Sequence, residues 1–380
     1  MKIFIVCPRL CHGGAERVGV VLANGFAAKG HQVVVATDLH EEITYHLDEL
    51  VWVMGMTPAT NSKIKKWGVA INRLRKCFRA HRPDVVIGIM PLCSLIARIA
   101  ATGHHIPVIA TEHDSFERPV DAPMSKMEYF SKFCLNKIYR AVTILTAADQ
   151  KVIGRRLRHA VVMPNPLSLQ PIAGEEAADE HVVDSIAKLH KQKVVLAAGR
   201  VDNWHYKGFD LLMRAWGKVM MDDSLKDWTL QIAGVWRNEQ SKAFLETIAR
   251  DAGCLDSVEF LGFQNDMLPV YQRSSVFVLS SRYEGFGLVL IEAMSQGCAC
   301  VAADYKGRQS EIIQNEHQGI TCAVEDADAL AAGLRRMMTD ETYRERAQVG
   351  AVRRSYFYSV SNCVKRWECL INKVVRNEQV

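Results

Sequence analysis

No run of 18 apolar residues occurs in the 380-residue chain, which excludes a membrane-spanning helix. Nor does the start read as an export signal. Met1-Lys2 leads straight into the strand-like IFIVC and Pro8, without the apolar core and small-residue cleavage site that such a signal needs. The 11 cysteines are scattered and form no CxxC or Cys/His pattern, so no metal site is expected. An odd number without an export signal predicts reduced thiols in the cytoplasm. Cys298 and Cys300, alternating along an apparent strand, read as core residues. An excess of one charge is also missing: 47 Lys and Arg against 42 Asp and Glu leave +5, so attraction to an anionic surface has to come from local clustering. The dinucleotide fingerprint GxGxxG is absent, and no acidic residue beyond Asp38 stands out after the second apparent strand, which disfavours a dinucleotide site. Solenoid-length repeats and low-complexity tracts are absent too.

What is present is a parallel-sheet pattern, repeated. Short apolar runs (IFIVC, QVVVAT, VWVMG, DVVIGIM, PVIAT, AVTILT, AVVMP) alternate with helical stretches such as Ala15 to Lys29. After the turn Pro164-Asn165-Pro166 comes a polar, acidic segment from about Gly174 to Asp184, and a second α/β series opens at KVVLAAGR. It continues through WTLQIAG, SVEFLG, VFVLSS, CACVAAD and ITCAV, with helices between, to a closing helix around Ser361 to Val375. The length suits two cores, since single cores rarely grow past about 250 to 300 residues. The expected domains are 1–175 and 185–358, with the segment 359–380 as a terminal helix.

The most informative stretch is SRYEGFGLVLIEAM, from Ser281 to Met294. Following an apparent strand, Glu284 to Gly287 would form the loop at a strand's carboxyl end, where open α/β sheets bind ligands. Gly285 and Gly287 allow close backbone approach, and the free N–H groups at the helix start, around Phe286, Gly287 and Leu288, suit a phosphate. If the segment is all helix, Glu284 and Glu292 lie roughly 12 Å apart. That exceeds the 5 to 9.5 Å or so of a hydrolase's acid pair, so they read as separate hydroxyl-binding carboxylates on either side of a diphosphate. In AAGRVDNWHYKGFDLL, Arg200 directly follows a strand and Lys207 precedes a helix, which places both at the sheet's carboxyl edge as a diphosphate clamp. The first βα turn, CPRLCHGGAERV, would expose N–H groups at Gly13 and Gly14 to a phosphate or a developing charge.

Together GGAERV, TEHD, MPNP, GR with KGFDLL, VEFLGF, and VLSSRYEGFG with its paired glutamates resemble family 4 glycosyltransferases of the GT-B fold. Within that family the chain resembles bacterial enzymes of lipid-linked glycan or polysaccharide assembly, such as N-acetylgalactosamine transferases. The likeness spans nearly the whole chain and implies two facing Rossmann-like, doubly wound domains with a cleft between them. It also implies a retaining transfer without metal or other cofactor, from a nucleotide sugar held mainly by the second domain to an acceptor held mainly by the first. By the same resemblance Gly14 approaches the donor phosphates, while Arg200 and Lys207 neutralise the diphosphate. Glu284 and the amides of Gly285 to Leu288 read sugar and phosphate, and Glu292 takes the ribose. The base is framed around Phe263 and Gln264. His113, in TEHDSF, would contact the donor sugar near its reacting end, giving orientation and charge stabilisation, and the closing helix would brace the first domain. Two departures stand out. Trp204, His205 and Tyr206 lengthen the Arg200–Lys207 spacing, and GRQSEII replaces a Gly-Pro form, leaving Arg308 either a contact or a surface residue.

From Asn61 to Pro83 the chain carries Lys63, Lys65, Lys66, Arg73, Arg75, Lys76, Arg79 and Arg82 with no acidic residue. Ile64, Trp67, Ile71, Leu74 and Phe78 fall at helical spacing. The stripe is expected to pack on the first domain, with the basic face meeting an anionic membrane or a lipid-linked pyrophosphate. Nucleic acid is not expected as a partner, since no reading motif accompanies the patch. The expected protein is thus a cytoplasmic enzyme, peripheral at the inner face of the membrane, moving a hexose or N-acetylhexosamine from a UDP-sugar to a lipid-linked glycan or polysaccharide. A GT-B sugar-nucleotide epimerase and a non-catalytic sugar-nucleotide or polyanion-binding protein are the alternatives.

Overall fold

A computed structural model describes residues 1–11, 13–119 and 121–380, and the chain divides into two compact units. The first holds Met1–Ser168 together with Val360–Val380, and the second holds Leu169–Ser359. Residues 169–175, assigned to the first domain from sequence, therefore belong with the second unit. Among the described residues no helix is long and apolar enough to cross a membrane.

The first unit is built on a parallel sheet of β1 (Lys2–Val6), β2 (Gln32–Thr37), β3 (Val51–Gly55), β4 (Val85–Ile89), β5 (Val108–Thr111), β6 (Ala141–Ile144) and β7 (Ala160–Val162). Their order is β3-β2-β1-β4-β5-β6-β7. The inner strands are short runs rich in Val, Ile and Ala because helices cover both faces of such a sheet. Helices α1 (Gly14–Ala28), α2 (Lys63–His81), α3 (Met90–Ala100), α4 (Lys126–Phe133) and α5 (Ala147–Ile153) connect them. Leu74 and Phe78 of α2, Ile96 and Ala97 of α3 and Phe133 of α4 share one core with Phe4, Val34 and Val86 of the strands.

In the second unit α6 (Asp179–Ala187) precedes β8 (Gln192–Ala198), so the acidic stretch read as a boundary is partly helix. Val182 of α6 buries against Val352 and Tyr356, which explains why so polar a segment is ordered. There follow α7 (Trp204–Lys207), α8 (Phe209–Val219), β9 (Thr229–Ala233), α9 (Glu239–Asp251), β10 (Val258–Gly262), α10 (Leu268–Arg273) and β11 (Ser274–Leu279). The unit closes with α11 (Leu288–Ser295), β12 (Ala299–Asp304), β13 (Ile320–Ala323), α12 (Ala327–Thr339) and α13 (Glu341–Ser355). Its parallel strands run in the order β10-β9-β8-β11-β12-β13. Trp216 of α8 is fully buried in the core and donates its indole N–H to Ser257 Oγ at 2.9 Å. The last helix, α14 (Val360–Val375), packs on α1 of the first unit: Trp367 meets Phe26 with ring centroids 6.5 Å apart, and Glu368 pairs with His31 at 2.7 Å.

The two topologies fix where chemistry can occur. Strand order reverses between β1 and β4 in one sheet and between β8 and β11 in the other. The loops leaving such neighbouring strands part in opposite directions and leave a crevice at the carboxyl edge. Gly13 follows β1, Arg200 follows β8 and Glu284 follows β11; His113 follows β5, next to β4. Among the described residues, the thirteen strands fall on the apolar runs read from sequence. The cysteines are free thiols, and Cys298 and Cys300 are fully buried core residues.

Candidate functional site

In the second unit the loops after β8 and β11 meet. The residues Trp204, His205 and Tyr206, which lengthen the first loop, wind into the helical turn α7, and that turn returns Lys207 to the end of β8. Its stem lies over Gly199, and its Nζ donates to Glu284 Oε2 at 2.7 Å. The two groups are about one-fifth exposed, at 24% and 17%. Arg200 projects into solvent from the same edge. The sheet thus presents an arginine, a lysine and a carboxylate, with the lysine bridging the two loops.

Glycine is required where the loops touch. Gly208 has φ of +63°, and a Cβ there would overlap the carbonyl of Ser280. Beyond Glu284, Gly285 is partly exposed, while Phe286 turns inward onto Tyr358 with ring centroids 5.6 Å apart. Gly287, at φ +95°, caps α11, which begins at Leu288. Glu292 sits one turn deeper, only 2% exposed, and accepts a hydrogen bond from Tyr271 Oη at 2.9 Å. Phe263, 59% exposed, and Gln264, which donates to the Leu261 carbonyl at 2.8 Å, lie in the loop after β10. Arg308 is no surface residue: it is fully buried, its guanidinium over the ring of Tyr305.

In the first unit, the turn after β1 differs from a bare phosphate cradle. Gly13 caps α1, but the Glu16 carboxylate folds back so closely that a side chain on Gly13 would overlap it. Glu16 is buried and its charge is met by Arg9 Nε at 3.1 Å. A phosphate at Gly13 and Gly14 would meet this like charge, so any anion there depends on Arg9.

His113 is held through one ring nitrogen. Its Nε2 lies 2.9 Å from Thr111 Oγ1, and that hydroxyl's single proton goes to the Gly88 carbonyl at 3.0 Å. The hydrogen-bond network therefore assigns the ring proton to Nε2 and leaves a lone pair on Nδ1. Among the described residues Nδ1 is buried with no partner at bonding distance. Burial pushes the ring's pKa down to about 4, more than Asp114 and Asn165 beside it can offset. His113 is therefore neutral at pH 7. It can accept a hydrogen bond from a hydroxyl through Nδ1, and any charge stabilisation it gives comes from the neutral ring.

The loop carrying His113 is anchored by residues that were not singled out from sequence. Lys132 of α4, itself buried, donates to the carbonyls of Asp114 at 3.1 Å and Ser115 at 2.7 Å. Asp149 of α5 accepts from the amide of Phe116 at 2.8 Å and from the hydroxyls of Ser115 and Thr146. The pattern Thr146-x-x-Asp149, a reciprocal helix cap, was the available signal for Asp149. A buried lysine in an aromatic helix gave none.

The basic helix is present, but its stripe is divided. Leu74 and Phe78 are buried, whereas Ile64 is 81% and Trp67 41% exposed, so the first two turns do not pack on the sheet. Three of its cations are engaged internally: Lys66 with Asp38, Arg73 with the carbonyls of Gly55 and Thr57, and Arg75 with that of Ile99. Lys63, Lys65, Lys76, Arg79 and Arg82 carry no internal contact among the described residues and face solvent or lie at its edge.

Comparison with known proteins places these features in a family. Residues 12–170 match the model for Glycosyltransferase Family 4, and residues 180–353 match that for Glycosyl transferases group 1. A Campylobacter jejuni protein named GalNAc-alpha-(1->4)-GalNAc-alpha-(1->3)-diNAcBac-PP-undecaprenol alpha-1,4-N-acetyl-D-galactosaminyltransferase is 26% identical over 98% of this chain and 99% of its own. An uncharacterised glycosyltransferase from Haemophilus influenzae is 24% identical over 94% of this chain and 96% of its own. Among solved structures, sucrose-phosphate synthase from Thermosynechococcus elongatus superposes with a TM-score of 0.77 at 18% identity, covering 99% of this chain and 100% of its own. Anabaena HepE, in complex with UDP and glucose, superposes with a TM-score of 0.73 at 16% identity, covering 98% and 100%.

Proposed function

Since the chain belongs to the family 4 glycosyltransferases of the GT-B fold, and is therefore a hexosyltransferase, we propose that it transfers a hexose or N-acetylhexosamine from a UDP-sugar to a lipid-linked glycan or polysaccharide, with retention and without a metal. The observation that carries this reading is the Lys207–Glu284 pair, 2.7 Å apart, formed by loops leaving β8 and β11 where the second sheet's strand order reverses. A diphosphate leaving group needs cations that strengthen their hold as its charge grows, and Lys207 with the exposed Arg200 supplies them from the chain itself. Glu284, released from Lys207 as the phosphates arrive, is then free to accept from sugar hydroxyls. Glu292 receives the ribose, Gly285 to Leu288 offer amides to the phosphates, and Phe263 with Gln264 borders the base. His113 accepts a hydrogen bond from the donor sugar through Nδ1.

In this reaction the bond from the anomeric carbon to the leaving phosphate oxygen breaks, and a bond to the acceptor oxygen forms on the same face. The acceptor's proton passes to the departing phosphate. That route is favoured because Glu284 has no close carboxylate partner in sequence to serve as a paired acid and base. UDP is the nucleotide carried by HepE, which shares the fold, and a diphospho-undecaprenol acceptor is part of the Campylobacter relative's name. Both support the donor and acceptor chosen here.

The outward-facing Lys63, Lys65, Lys76 and Arg79 of α2 and Arg82 just after it, with Ile64 and Trp67 exposed at the helix start, suit peripheral attachment to an anionic inner membrane face or contact with a lipid pyrophosphate. Each basic residue near such a surface contributes about 1 kcal/mol, so a handful suffices for salt-sensitive binding.

The test is a panel of UDP- and GDP-sugars with bacterial lipid extract, following nucleotide release and labelled lipid product, with and without EDTA. One UDP-sugar should give both signals, undiminished by EDTA. Nucleotide release without a glycosylated product would point to other chemistry at the donor site, and no release from any donor would overturn the proposal.

A further inference from the structure

The loops bearing Lys207 and Glu284 are joined by more than their ion pair. Arg282, two residues before Glu284, reaches back across both. Its Nη2 donates to Asp210 Oδ2 at 2.9 Å, and its Nη1 donates to Asp210 Oδ1 and to the His205 carbonyl, the latter at 2.8 Å. Its Nε donates to Glu325 Oε1. Asp210 opens α8, immediately after the Lys207–Gly208 turn; it is buried, and Arg282 is mostly covered, with 12% of its side chain exposed. The backbone repeats the connection: the amide of Arg282 donates to the Tyr206 carbonyl at 2.9 Å, and Ser280 Oγ donates to the Lys207 carbonyl at 2.8 Å. Glu325 adopts φ +62°, which a residue with a Cβ rarely adopts, and from there presents its carboxylate to Arg282.

Such an arrangement exceeds what a stable loop needs. A lone buried ion pair is often no better for stability than apolar packing, and here one guanidinium meets two carboxylates and a carbonyl. What it secures is geometry, because the planar fork admits one orientation. His205, Tyr206, Lys207 and Asp210 on one side and Arg282 and Glu284 on the other are thereby fixed in register.

We propose that Arg282 is a positioning residue that holds Lys207 at the diphosphate through Asp210 and the His205 carbonyl, with Glu325 fixing its third edge. It touches neither donor nor acceptor. The inference rests on reading Lys207 and Glu284 as the donor clamp.

A double-mutant cycle tests it on the full-length protein, with nucleotide release from the turned-over donor as readout. Arg282→Ala should lower kcat/KM at least 30-fold, and Arg282→Lys should recover less than a tenth of that loss because an ammonium cannot make the fork. In a Lys207→Ala background, Arg282→Ala should cost less than 3-fold further. Added guanidinium at tens of millimolar should restore part of the Arg282→Ala activity, while ethylammonium should not. Should Arg282→Ala fail to fold, Arg282→Gln with Asp210→Asn removes both charges and keeps the volume; it should show the same loss at an unchanged far-UV spectrum. A loss under 3-fold, or costs that multiply fully in the Lys207→Ala background, overturns the positioning role while leaving the donor clamp standing. A wild-type protein that releases nucleotide from no donor overturns both.

Discussion

Single residues at the candidate site have consequences that differ in kind. His113 is held neutral with a pKa pushed down to about 4, against an ordinary value of 6.5. As pH falls from 6.5 to 4, the unfolded chain takes up a proton at this ring and the folded chain does not, so the folded state loses stability over that window. The full effect is on the order of 3 kcal/mol. Thermal melts should therefore show wild type losing ground to His113→Gln as pH drops from 6.5 to 4; a constant gap would contradict the assignment. Lys207→Ala and Arg200→Ala should each lower turnover by roughly two to three powers of ten, as for other lost contacts to developing charge, with folding intact. Near-normal turnover in either would remove it from the clamp. The sequence singled out Arg200, Lys207 and Glu284 because Arg200 directly follows a strand, Lys207 lies just before a helix and Glu284 lies in the loop between a strand and a helix. Arg282, Asp210, Lys132 and Tyr271 were not legible, since their roles depend on partners 21 to 72 positions away or on carbonyls, which no side-chain pattern reveals.

Among the elements, α2 separates packing from surface chemistry. Leu74, fully buried, lies in its second half, while Ile64 and Trp67 stand out at its start. Leu74→Ala should cost about 2 to 5 kcal/mol in chemical denaturation. Ile64→Ser with Trp67→Ser should leave the midpoint unchanged and reduce sedimentation with anionic vesicles at low salt. Equal vesicle binding by that variant would show that the exposed turns do not meet lipid. Helical spacing placed the helix, but the expected stripe packs only through Ile71, Leu74 and Phe78, because the same period describes a covered face and a bare one. The inner strands were easier to place: β4, VVIGI, is an uninterrupted apolar run, since a sheet covered on both faces admits no polar alternation, whereas β9 and β10 carry Gln231 and Glu259. By contrast α7 was read as an insertion and α6 partly as linker, because a single turn has no period to detect and α6 buries only Val182 among its nine residues.

At the scale of the molecule, the two sheets each gather their chemistry where strand order reverses, a placement that followed from the alternation of strands and helices once the order was known. The first unit is completed by the chain's last helix. Val364 of α14 lies where a side chain on Gly25 would sit, and Trp367 is buried against Phe26. Trp367→Ala should destabilise the first unit by about 3 to 5 kcal/mol, seen as early loss of protection in α1 by hydrogen exchange. Protection lost only in the second unit would assign α14 elsewhere.

Because α14 closes over α1, the first unit cannot be finished when its own strands emerge from the ribosome. All of residues 169–359 must be synthesised first. At about 5 to 20 residues per second, that leaves Phe26 and the neighbouring face of α1 bare for on the order of ten to forty seconds. Over that interval the nascent chain carries an apolar face that only its own last turns can cover, and that is when it is most exposed to chaperones and to aggregation.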